Sequence, residues 1–102
     1  MARLPKKRNV CLELRSAYFT PYGVDSKDLQ EIVLEVDELE AVRLADLESQ
    51  YQEVAAKRMG ISRQTFGNII DRAHAKIAVA LIRGRALRIN CPRFANKLKG
   101  SA

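Results

Sequence analysis

Arg63, Gln64, Thr65 and Asn68 lie within six residues, just after the run Met59-Gly60-Ile61-Ser62. These side chains can read nucleic-acid base edges. An arginine fork can bond a guanine edge twice. The amides of Gln64 and Asn68 can each match an adenine edge with a donor and an acceptor. Thr65 can touch a phosphate or a base methyl, and Ser62 and Asp71 are further exposed candidates. Lys57, Arg58, Arg72 and Lys76 flank this group and suit phosphate contacts. Gly67 carries no side chain, which fits either a close approach to a DNA backbone or simple tolerance of glycine.

Such residues need a frame, and the surrounding sequence supplies one. Ala56 is small where two crossing helices must come close, and Gly60 makes a sharp turn four residues later. Ile61 plugs the corner, and Phe66 and Ile69 face back toward the first helix. This set over residues 52–71 describes a helix-turn-helix. Its supporting helix is expected over 51–59 with Val54, Ala55 and Met59 inward, ended by Gly60. Ser62 caps the second helix, expected over 63–83, with Phe66, Ile69, Ile70, Ala73, Ile77, Ala80 and Leu81 on its apolar face. Residues 63–73 would enter the major groove. Gly84 stops this helix.

Upstream, Asp37-x-x-Glu40 has the spacing of a capping box and predicts an acidic helix over 38–48. Leu39, Val42, Leu44 and Leu47 give it an apolar face. Residues 26–34 fit either a short helix or a strand and lead into extended chain at 33–36. Tyr18 to Gly23 reads as a turn-rich connection. Short strands are expected over 9–15 and 86–91, the latter closed by Pro92. The fold class is therefore mainly α, a helix-turn-helix core with short N- and C-terminal strands. It is organised as a flexible basic arm (1–8), a domain (9–90) and a disordered tail (91–102).

The chain has 102 residues and a net charge of +6, enough for one domain with a small core. Its charge is segregated. Residues 1–15 hold five basic and one acidic side chain, 16–56 two basic and ten acidic, and 57–102 eleven basic and one acidic. A polyanion would be met by the two ends and repelled by the middle. The arm residues Arg3, Lys6, Lys7 and Arg8 suit a minor groove or a phosphate backbone, or serve as a solubilising tail. No apolar run is long enough to span a membrane, and no signal peptide is apparent, which points to the cytoplasm. Cys11 and Cys91 lack CxxC spacing and read as buried small hydrophobes in a reducing compartment. His74 lacks the company a metal site requires, so it reads as structural and no cofactor is expected. No nucleophile–His–acid set or phosphate-cradling glycine loop argues for an enzyme.

The segments Leu34–Asp46 and Gln52–Phe66, with the basic start and Gly84–Ile89, resemble the UPF0251 (DUF134) family of small bacterial and archaeal proteins. The likeness runs over about residues 3–90. Members are described as predicted DNA-binding proteins with a helix-turn-helix similar to region 4 of sigma-70-type factors. The resemblance implies that Gln52–Met59 is the supporting helix and Arg63–Ile70 the recognition helix. Lys7 stands where many members have a cysteine, and Gly67 where a long polar side chain is common.

The function these features imply is sequence-specific binding of double-stranded DNA by a transcriptional regulator, acting as a homodimer. The competing class is a protein–protein adaptor that contacts the transcription machinery through acidic helix 38–48.

Overall fold

The computed structural model describes residues 17–91. The basic arm, the strand expected over 9–15 and the tail beyond Cys91 lie outside these residues. Strand β1 is Tyr18–Phe19, β2 Glu31–Glu35 and β3 Ala86–Asn90. Helix α1 is Val36–Val42, α2 Gln52–Met59 and α3 Arg63–Arg83. The architecture is mainly α with short strands, as expected. None of the helices described is long and apolar enough to cross a membrane.

β3 lies at the centre of the sheet, antiparallel to β1 and parallel to β2. Parallel neighbours need a long crossover, and here the three helices supply it. Tyr18 donates its hydroxyl hydrogen to Glu31 at 2.9 Å, and Arg88 Nε donates to the same carboxylate at 3.0 Å, which laces all three strands. The turn-rich reading of 18–23 is thus corrected at its start. Tyr18 and Phe19 pair with Arg88 and Leu87, a non-local partnership that spacing alone does not reveal.

α1 starts two residues before the expected position. Glu35, not Asp37, is its N-cap residue, in a capping box with Glu38. Two acid pairs share the i,i+3 spacing, and packing chooses between them. Glu38 is 1% exposed. It takes hydrogen bonds from the Glu35 N–H at 2.8 Å, Arg72 Nε at 2.8 Å and Lys76 Nζ at 2.7 Å. The Lys76 ammonium also donates to the Val33 carbonyl of β2 at 2.7 Å. One buried carboxylate therefore joins α1, α3 and, through Lys76, the sheet.

Arg43–Leu47 continues α1 as a wider π-helical turn, closed by the Glu48 N–H on the Arg43 carbonyl at 2.9 Å. Arg43 donates to Glu40 and Glu48. Ser49 then takes a positive φ of 56° and ends the helical run. The turn is tied to both later helices. Arg58 of α2 donates to Glu48 at 3.0 Å, and His74 Nε2 of α3 lies 2.7 Å from Asp46 Oδ2.

Two apolar clusters result. Ala41, Leu44, Ala55, Ala56, Phe66, Ile69 and Ile70 fill the space between the three helices. Ala17, Leu34, Ala73, Ile89 and Cys91 join the sheet to α3. Val42 packs against both. Three residues expected to face inward point out instead. Leu47 and Leu81 are each 77% exposed and Val54 44%: the π-turn and the far end of α3 run beyond the neighbours that would cover the two leucines, and α2 buries Ala55 and Ala56 rather than Val54. Cys91 is fully buried and disulfide-bonded, its partner lying outside the described residues. That corrects the reading of a merely packed thiol, and with it the argument from free thiols to a reducing compartment.

Two expectations follow. Phe66→Ala should destabilise the fold by about 3–5 kcal/mol, because Phe66 is fully buried at the helix crossing. An unchanged urea midpoint would contradict this packing. Burial pushes the Glu38 carboxyl up. The bonds from Lys76, the Glu35 N–H and Arg72 outweigh that and hold it below the ordinary carboxylate value of 4.5. A lowered folded-state pKa adds stability that is complete above the unfolded value and is lost as pH falls through the folded one. Glu38→Gln should therefore cost about 1–3 kcal/mol at neutral pH and flatten the loss of stability on acidification. Urea titrations between neutrality and about pH 3 check both; a variant whose acid slope matches wild type would contradict them.

Candidate nucleic-acid interface

The turn between α2 and α3 is built by backbone chemistry. Gly60 adopts a left-handed φ of 74°. Its N–H bonds the Lys57 carbonyl at 3.0 Å, and the Ile61 N–H bonds the Ala56 carbonyl at 3.0 Å. This is a Schellman motif, and Ile61 packs on the core cluster beside it. Ser62 Oγ accepts from the Thr65 N–H at 3.1 Å and donates to Thr65 Oγ1 at 2.9 Å. α3 then runs 21 residues to Gly84, about 1.5 Å per residue or roughly 30 Å.

The buried stripe Phe66, Ile69, Ile70 and Ala73 fixes which side of α3 faces out. At about 100° per residue, Gln64, Asn68 and Asp71 lie opposite that stripe, and all three are exposed. Arg63 and Thr65 flank them and are also exposed. No acidic residue occupies the first turn. The side chains of Arg63, Gln64, Asn68 and Lys57 have no hydrogen-bond or ion-pair partner among the described residues. The structure thus brings Arg63, Gln64, Thr65 and Asn68 to one exposed end of α3, beside the capping Ser62.

The flanking cations divide differently. Arg58 pairs with Glu48 at 3.0 Å, and Arg72 with Glu38 at 2.8 Å. Their side chains remain 47% and 53% exposed. Lys76 is the most withdrawn at 28%, held by Glu38 and the Val33 carbonyl. These carboxylate partners are remote in sequence and carry no local signal. Arg3, Lys6, Lys7 and Arg8 lie outside the described residues.

Two features escaped the sequence reading. Glu38 was one acid among many until its burial distinguished it. Gln52, the first residue of α2, places Oε1 3.5 Å from where a Cβ on Gly67 would stand. No sequence signal links positions 15 residues apart on two helices. At the other end of α3, Phe19, Pro21, Ile77, Leu81 and Leu87 line an apolar groove of about 440 Å³. Among the described residues, no three of His, Cys, Asp or Glu gather as metal ligands would.

Comparison with known proteins adds a family. The profile described as "Protein of unknown function DUF134" matches residues 1–96. A UPF0251 protein of Clostridium botulinum strain 657 is 46% identical over 98 residues, covering 96% of this chain and 62% of that protein. A UPF0251 protein of Clostridium tetani is also 46% identical over 98 residues, covering 96% of this chain and 67% of its own length. The chain therefore spans about two thirds of these relatives. No solved structure matches. With the match running through both helices and the turn between them, the chain belongs to the UPF0251 (DUF134) family.

Proposed function

We propose that this chain is a sequence-specific binder of double-stranded DNA and a transcriptional regulator that reads the major groove with the N-terminal half of α3. One observation carries the reading. Among the described residues, most charged groups around the helices are paired with each other, yet the side chains of Arg63, Gln64 and Asn68 stand exposed and unpartnered at one end of a single helix. Such side chains gain little in water and much against a base edge. Lys57 is available for phosphate, Arg58 keeps enough exposure to turn from Glu48 toward a duplex, and Arg72 can offer its remaining guanidinium N–H groups while its Nε stays on Glu38. The free backbone N–H groups opening α3 add a site for a phosphate oxygen. Lys76 contributes least.

A homodimer completes the proposal, because one recognition helix reads only a short site and two-fold pairing doubles it. A helix-turn-helix like that of sigma-70 region 4, as the family resemblance implies, would add a contact with the transcription machinery. The adaptor alternative is less well supported. Of the carboxylates on which it relies, Glu38 is buried, while Glu40 and Glu48 are engaged by Arg43.

Selection from random-sequence duplexes at two salt concentrations tests the proposal. Enrichment of a short, two-fold symmetric motif is expected. Steeply salt-dependent binding without enrichment would remove the sequence-specific reading, and no binding at low salt would remove DNA altogether. On the selected site, Arg63→Ala should lower affinity by about 1–3 kcal/mol with an unchanged melting temperature. An unchanged isotherm would exclude Arg63 as a reader.

A further inference from the structure

We infer that Gln52 makes a phosphate contact from the supporting helix, taking the place of the side chain that Gly67 lacks. The inference rests on the DNA-binding reading and adds a residue to it.

Gly67 lies one turn beyond Arg63 and Gln64, so it shares their side of α3. Its backbone is helical and has no positive φ. A Cβ there would meet only Gln52 Oε1, at an ordinary contact distance of 3.5 Å. Neither conformation nor crowding by the core demands glycine, although glycine inside a helix is less stable than alanine. What the glycine leaves open is the space above it, and Gln52 of α2 occupies that space. Gln52 is exposed and has no hydrogen-bond partner among the described residues.

The position decides what the amide can reach. Gly67 is on the α2 side of the recognition face, between the outward row of Gln64, Asn68 and Asp71 and the buried Phe66 and Ile70. A group on that flank meets the wall of the major groove rather than its floor, and the wall is phosphate and sugar. Gln52 Oε1 lies toward Gly67, and the amide's Nε2 hydrogens, with no acceptor among the described residues, are available for donation to a phosphate oxygen. A longer side chain at 67 would claim the same volume and could make the same bond.

The test uses the whole chain and a random-sequence duplex of about 30 base pairs at low salt, since phosphate contacts do not depend on sequence. Gln52→Ala should weaken binding about tenfold, equally for random and selected duplexes. Gln52→Ala with Gly67→Gln should recover most of that loss. Gln52→Ala with Gly67→Ala should stay weak although its helix is stabilised, which separates contact from helix propensity. Melting curves confirm that each variant folds. Wild-type binding with an indifferent Gln52→Ala would overturn this inference alone. Loss without recovery by Gly67→Gln would show that Gln52 does not stand in for residue 67, and would overturn it too. Failure of the wild type to bind any duplex would remove both this inference and the DNA-binding reading.

Discussion

The buried carboxylate of Glu38 is the constraint on which the arrangement depends. Its three donors come from the start of its own helix and from two successive turns of α3. Arg72 and Lys76 are four residues apart, so both reach one side of α3. Holding that side against α1 sets the rotation of α3 about its axis. Phe66, Ile69, Ile70 and Ala73 then turn inward together, and Gln64 and Asn68 are left facing out. A buried ion cluster is weak evidence for stability, since desolvation offsets much of the attraction. Its clearest use here is orientation. Leucines and alanines would tolerate a range of helix rotations, whereas one carboxylate with three donors tolerates few.

The segregated charge takes on a different meaning in this frame. The acidic middle of the chain is less a free surface than the counterpart of the basic helices. Glu38 holds Arg72 and Lys76, Glu48 holds Arg58, and Asp46 meets His74. Among the described residues these pairings leave the Arg63, Gln64 and Asn68 side chains unpaired at the start of α3, at the opposite end of that helix from the apolar groove. Glu31 does similar work on the sheet by linking Tyr18 and Arg88.

How much of this was legible in the sequence depends on range. Gly60, Ser62 and Gly84 act through their own backbone or a neighbour three to five residues away, and they placed the turn and both ends of α3 correctly. The alternation and helical spacing in 26–36 stayed ambiguous because β2 is defined by its pairing with β3, more than fifty residues on. The Asp37–Glu40 and Glu35–Glu38 pairs look alike locally, and only Arg72 and Lys76 distinguish them. The apolar spacing of Leu47, Val54 and Leu81 was real, but spacing says nothing about whether a neighbour arrives to cover it. In the interface, residue types were readable and their availability was not. Arg58, Arg72 and Lys76 resemble Lys57 in sequence and differ from it in having carboxylates within reach.

In the proposed function, the exposed start of α3, oriented by Glu38, is the surface that meets DNA. Backbone amide NMR during titration with double-stranded DNA tests it most directly. The account predicts the largest shift changes at residues 62–68 and at Gln52, with Glu38 and the sheet nearly unmoved. Changes centred on the acidic segment 36–48, or on the groove around Phe19 and Leu81, would contradict it.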